Sequence, residues 1–329
     1  MPSGFRTEDG VDFNEVYYDG IVPMLQRYNE VDGRPDFREL LCEDADEKIK
    51  STILATTDRM QKLAPNQTPD SIKTEIGRYQ GLSEFYGTGQ TRTWDYLRNA
   101  KADDILRDQA NIFTADKETI HDTIVKAVLV NPAVAPTAVS GALYNGYYET
   151  YEGIATPPKY KTNSFQAGHI HYVTSGATSF ALNDFDAAET HLREHGVKGD
   201  LLAIMHNDQW TQIKGLAAWT ASGAISNPIT DKIAVEGFVD KMSGWNIIVD
   251  DSMPTGYVLW TVYSQGGRLM KFHESNNGSF RGLLIIEGSA KYPLVGSYYF
   301  RFFNPKVFRR DMAVAMQITN NADYTNPTL

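Results

Sequence analysis

The sequence predicts an α+β fold, and three observations carry that expectation. Between Asp184 and Leu259, amphipathic helical stretches alternate with short apolar runs of strand length. The closing block YYFRFFNPKVFRRDMAVAMQIT alternates in the manner of strands, with Tyr298, Phe300 and Phe302 set against Tyr299, Arg301 and Phe303. The stretch from Ile72 to Asp95 is polar and carries Gly77, Gly81, Gly87 and Gly89, which reads as a long glycine-bearing hairpin.

Composition sets the frame. A chain of 329 residues makes one large or two modest domains, and 42% hydrophobic with 22% charged residues is ordinary for a globular protein with a sizeable core. The net charge of −10 repels phosphates, so the surface as a whole is not built to grip nucleic acid. The single cysteine, Cys42, allows no intrachain disulfide and stands in no reactive-thiol signature, so a reduced, inert side chain is expected. No basic region followed by an apolar run opens the chain, so no signal peptide is predicted. The most apolar region, Ile124 to Leu143, is broken by Lys126, Pro132 and Pro136 and does not read as a membrane span.

In chain order, residues 1–40 show little regular pattern beyond a short helix at Val22 to Tyr28, yet they are rich in aromatics: Phe5, Phe13, Tyr17, Tyr18, Tyr28 and Phe37. An aromatic-rich arm is expected to dock, either on its own core or on another surface. Glu43 to Leu63 predicts a helix, with Ile49, Ile53, Met60 and Leu63 on one side, broken by APNQTPDS. Arg98 to Asn111 is charged and helix-compatible, and Thr114 predicts the N-cap of a further helix through Ile120, Ile124 and Val128 that Pro132 and Pro136 end or kink. Ala138 to Thr150 resumes a helix with a band of Tyr144, Tyr147 and Tyr148, extended by Tyr151, and Ile170 to Val173 predicts a strand. Asp184 predicts an N-cap for a helix whose stripe is Phe185, Ala188 and Leu192, stopped at Gly196. Leu201 to Met205 is a buried strand, and Asn207-Asp208 caps a short helix presenting Trp210, Ile213, Leu216 and Ala217. Trp245, Ile247 and Val249 belong to a strand that enters an acidic turn at Asp250 to Gly256, with a second strand from Tyr257. Leu269 to Phe272, Leu283 to Ile286 and Met312 to Ile318 predict the remaining strands, and no internal repeat is visible.

Few residues form a chemical constellation. His191, Glu194 and His195 fit H-x-x-E-H, the spacing that puts two zinc ligands and a general base on one helix face, and His169, His171 and His206 could add ligands. The helix is short, ends directly after His195, and places His191 off the apolar stripe toward solvent, so a solvated face is expected rather than a metal-dependent hydrolase. GTGQTRTW lacks the third glycine and the lysine of a phosphate loop. Asp250 and Asp251 are adjacent and read as turn-capping carboxylates. No catalytic residue, metal ligand or cofactor-binding residue is expected, so the chain is read as no enzyme.

The order of DFDAAETHLREHGVKGDLLAIMHNDQW followed by GWNIIVDDSMP resembles the axial domain of tailed-bacteriophage major capsid proteins with the Hong Kong 97-type fold. That resemblance implies an N-terminal arm at 1–40, an extra helix and extended loop at 41–112, a peripheral domain with a spine helix at 113–174, an axial domain at 175–265, and a return to the peripheral domain with a C-terminal tail at 266–329. It implies a shell protein forming hexamers and pentamers around double-stranded DNA, localised to the virion after assembly in the bacterial host cytoplasm. Its partners would be itself together with scaffold, portal and decoration proteins, with no membrane involved. The extended segments would lie across neighbouring subunits, with Phe5, Phe13, Tyr17 and Tyr18 as anchors and Phe85, Tyr86 and Trp94 on or beside the hairpin's contact face. Two rivals stand beside this reading: a hydrolase built on His191, Glu194 and His195, and a soluble intracellular binding protein. Encapsulin nanocompartments share the fold and are not separated by the sequence.

Overall fold

The computed structural model describes residues 6–32, 36–46, 48–54, 75–81, 83–131, 160–161, 163–165, 169–216, 219–221, 235–239, 245–263, 267–291 and 294–329. The chain opens with short helices: α1 (Phe13–Glu15), a π-helical stretch (Val16–Ile21), α2 (Val22–Arg27), a second π-helical stretch (Tyr28–Asp32) and α3 (Asp36–Leu41). Then come β1 (Cys42–Asp46), β2 (Lys48–Leu54), β3 (Glu75–Gly81), β4 (Glu84–Thr93), α4 (Trp94–Asn99) and the long α5 (Ala102–Leu129). The second half runs β5 (Tyr172–Thr174), α6 (Leu182–Glu194), β6 (Asp200–Met205), α7 (Asn207–Lys214), β7 (Trp219–Ala221), β8 (Val235–Val239), β9 (Asn246–Val249), β10 (Tyr257–Tyr263), β11 (Met270–Glu274), β12 (Leu283–Lys291), β13 (Leu294–Val307) and β14 (Ala313–Gln317).

Seven strands form one sheet in the order β5-β14-β10-β6-β9-β8-β7. In its interior β10 pairs antiparallel with both β6 (Leu259↔Ile204) and β14 (Leu259↔Ala315). Val258, Leu259 and Trp260 are fully buried, as expected of a central strand whose apolar run does not alternate. The aromatic core meets here: the Trp245 ring lies 4.7 Å from that of Trp260, and Phe185 of α6 approaches Trp260 at 5.0 Å, both edge to face.

In the other large sheet, the fourteen-residue β13 pairs antiparallel with β4, β12 and β11, and β11 pairs in parallel with β1. The alternation read from the sequence is real: Tyr299, Arg301 and Phe303 are buried, whereas Tyr298 is exposed and Phe300 and Phe302 are half-buried. The helix α5, of 28 residues and so about 42 Å long, packs Ile105, Gln109, Ile120, Ile124 and Val128 inward. Its end is closed by tyrosine hydroxyls. Tyr324 donates to the Leu129 carbonyl at 2.6 Å and Tyr172 to the Val130 carbonyl at 3.0 Å, satisfying groups a helix leaves orphaned. The polar C-terminal tail is therefore a structural strap.

Several expectations are corrected. Glu43 to Leu63 is not a helix over its described part, because β1 and β2 occupy it. Ile49 and Ile53 are four apart, a spacing that fits one face of a helix and one face of a strand equally. The hairpin is β2 with β3, Lys48↔Gly81 to Leu54↔Glu75, whereas β4 is a sheet strand on β13. Thr114 caps nothing. It lies inside α5, with its hydroxyl donating to the Ala110 carbonyl, and the helix begins at Ala102. Asp184 is the third residue of α6, and its carboxylate accepts the Ala181 N–H at 2.8 Å. At α7 the cap is His206, whose Nδ1 accepts the Asp208 N–H. The tyrosine band at 144–151 and Ala217 lie outside the described residues.

Candidate functional site

The arm residues named for assembly divide. Phe13 and Tyr17 are buried with Leu97, Ala100 and Ile105, so they anchor the arm on its own chain and are corrected as outward anchors. Tyr28, stacked on Phe113 at 4.4 Å, and Phe37, 4.9 Å from the His121 ring, are likewise internal. Tyr18 stays outside, 61% exposed, and Phe5 lies outside the described residues.

Phe85, Tyr86 and Trp94 are on or just after β4 rather than on the hairpin. Trp94 packs partly buried against the arm cluster, and Tyr86 stacks on Phe303 at 4.5 Å. Phe85 is 60% exposed and leads an aromatic face. Its ring lies 5.2 Å from Phe300 and 5.0 Å from Phe302, and Phe280 approaches Phe302 at 5.6 Å. On the neighbouring strand Ile286 pairs with Tyr298, and both are exposed. The glycines of GTGQ make room for this face. Gly87 pairs with Phe300 and Gly89 with Tyr298, and a Cβ on Gly87 would meet the Phe300 ring at 2.9 Å.

Behind that sheet sits a buried ionic network that pattern reading missed. Arg301 donates to Asp116 at 2.5 Å and to Glu274 at 3.3 Å, while Tyr28 donates to Asp116 at 2.8 Å. Burial and the Asp116 charge raise the Tyr28 hydroxyl well above its ordinary value, so it is a permanent donor. The network joins the arm, α5 and two strands of the sheet. The α5 helix meets the seven-stranded sheet through a second ion pair, His121 Nε2 to Asp250 at 2.7 Å. Burial alone lowers the imidazole, but the Asp250 hydrogen bond and charge outweigh it and raise His121 above its ordinary value. Burial raises Asp250, but the same bond with His121 leaves it lowered on balance. Cys42 is buried, with its thiol pushed up to about 12 by burial and so unreactive.

The structure also corrects the placement of His191. It faces inward, into a group with His169, His171 and His195 whose ligand nitrogens all lie within 4.8 Å of one another. The His169 and His195 Nε2 atoms are 2.9 Å apart. His171 Nδ1 donates to the Ala313 carbonyl at 2.8 Å. Burial, with repulsion among the rings, pushes His171, His191 and His195 down to about 3, and burial lowers His169, so the cluster is neutral at physiological pH. Phe165 stacks on His195 at 4.4 Å. Glu194, the general base of the hydrolase reading, is not among the converging groups, and neither is His206. The signal was present in the sequence as H-x-H ahead of one strand and H-x-x-x-H ending one helix, but only the fold brings the two pairs together.

No family model and no curated protein sequence matches the chain. Solved structures do. A structure from Mycobacterium phage Patience superposes with a TM-score of 0.70 at 21% identity, covering 99% of this chain and 96% of that one. The capsid of an empty GTA particle gives 0.53 at 11% identity, over 86% and 90%. The capsid of cyanophage P-SCSP1u gives 0.50 at 9% identity, over 85% and 86%. The fold is that of phage capsid subunits.

Proposed function

We propose that the chain is the major shell protein of a phage head, of the Hong Kong 97 type, that assembles into hexamers and pentamers around double-stranded DNA. The observation that carries this reading is fold agreement along essentially the whole chain, 99% of it in one phage structure, rather than in one domain. The chemistry is consistent with a structural role. The net charge of −10 suits a wall that encloses DNA without gripping it. The exposed ring of Phe85, with Tyr298 and Ile286, supplies the apolar patch a self-assembling subunit uses against a neighbour. Tyr18 would be an outward contact of the arm, with Phe5 proposed as a second, while Tyr86 packs on Phe303 on the opposite face of β4 and Trp94 packs on the arm cluster. Scaffold, portal and decoration proteins would be the other partners and the virion its location, reached by assembly in the host cytoplasm.

The test is direct. The expressed protein, examined by negative-stain microscopy and light scattering, is expected to give closed shells or capsomers. A monodisperse monomer at every concentration and salt condition tried overturns the reading. The hydrolase reading is the weaker one, because Glu194, its general base, is not among the groups that converge with His191 and His195.

A further inference from the structure

We propose that His169, His171, His191 and His195 form a closed structural site for a divalent transition metal of the zinc class. The ligands arrive as two pairs. His169 and His171 are two apart on the stretch leading into β5, and both rings reach the same group. His191 and His195 are four apart at the end of α6, one turn above each other on one face.

Their geometry is close to what a metal needs. Four bonds of about 2.0–2.1 Å in a tetrahedron put ligand nitrogens about 3.4 Å apart. The spacings, from 2.9 Å between the His169 and His195 Nε2 atoms to no more than 4.8 Å across the group, bracket that value. The His171 tautomer is already set, because donation from Nδ1 to Ala313 leaves the Nε2 lone pair for a ligand, the usual second bond of a metal-bound imidazole. His191 Nε2 is buried without a hydrogen-bond partner, a state that costs free energy unless another atom uses it. Whichever ring of His169 and His195 donates in their mutual contact moves its proton to its other nitrogen when the metal enters, so no net proton is released.

The donor set fixes the chemistry. Neutral imidazoles with no carboxylate or thiolate suit zinc, nickel, cobalt or copper rather than calcium or magnesium. Four protein ligands fill a tetrahedron and leave no open position for water, which makes the site structural rather than hydrolytic. A bound ion would tie the segment ahead of β5 to the end of α6. Through His171 it would also hold β14. Tyr160 already packs over that helix end, where Gly196 has a φ of 76° and a Cβ would strike the ring at 2.3 Å.

The experiment uses the full chain, stripped with chelator and titrated with Co(II) and then Zn(II). The expected result is one Co(II) per chain with the strong visible band of tetrahedral cobalt, displaced by Zn(II). His169→Ala and His191→Ala are expected to weaken binding by about a hundredfold or more, whereas His206→Ala leaves it unchanged. Zinc is expected to raise the melting temperature of the wild type and not of His169→Ala. Absence of the band from folded wild-type protein in excess cobalt overturns the proposal, as does binding that survives in both cluster variants. Should either variant fail to fold, the wild-type spectrum and His195→Gln decide the matter.

Discussion

The two large sheets handle their apolar side chains differently. In the seven-stranded sheet, β10 is buried along nearly its whole length, β6 from Leu201 to Met205, and β14 from Ala313 to Met316. In the other, β13 buries every second residue from Ser297 to Phe303 and leaves Tyr298 exposed and Phe300 and Phe302 half-buried on a face where Phe85 and Ile286 are exposed. The described core strands of the first sheet complete their packing within the chain. The second completes half of it, with an ionic network beneath and an uncovered aromatic layer above. A contiguous apolar face left open is a candidate surface for a partner, which in the proposed function is a neighbouring copy of the chain.

The sharpest way to break the self-contained sheet is Trp245→Ala. The indole is fully buried against Trp260, so a loss of about 3–5 kcal/mol is expected, read as a lower denaturant midpoint and poor soluble yield. An unchanged midpoint would refute the packing described. A loss of similar size, about 3–5 kcal/mol, is expected from Arg301→Met beneath the second sheet, because it strands Asp116 as a buried carboxylate without its cation, whereas Glu274 keeps Arg38. Arg301→Met combined with Asp116→Asn should recover part of that loss, and failure to do so would show the network does not act as a unit.

A smaller effect, about 1–2 kcal/mol, is expected from Asp250→Ala, which removes the tie between α5 and the seven-stranded sheet. Its pH signature follows from the two shifts. The raised His121 contributes stability that is present below the ordinary imidazole value of 6.5 and lost as pH rises through its folded value. The lowered Asp250 contributes stability present above the ordinary carboxylate value of 3.8 and lost as pH falls through its folded value. The wild-type advantage over Asp250→Ala should therefore peak between about pH 4 and 6.5 and shrink on both sides; a flat difference across pH 4 to 8 would rule out the charged pair.

The smallest effect on the isolated subunit is expected where the comparison predicts the largest effect on assembly. Phe85→Ser with Tyr298→Ser should change subunit stability by about 0.5 kcal/mol or less, yet reduce particle yield sharply in sedimentation and microscopy. Normal particles from that double variant would mean the aromatic face serves no interface.

By itself the sequence determined the α+β class, the helix stripe of Phe185, Ala188 and Leu192, the strands at Leu201 to Met205 and from Tyr257, and the alternation of β13, since each rests on periodicity within a few residues. The strand nature of β2 was not legible, because a spacing of four between Ile49 and Ile53 serves both periods and the pairing with β3 is what selects one. Nor was the fate of the arm, where Phe13 and Tyr17 have the same composition as an outward anchor and are internal only because Leu97 and Ile105 stand opposite them. The histidine pairs at 169/171 and 191/195 were visible separately, but their meeting depends on β5 pairing with β14 while α6 packs over the same strand. Tertiary structure decided these cases for one physical reason: a side chain's role follows from what lies across from it, and chain-distant partners leave no periodic trace in the sequence.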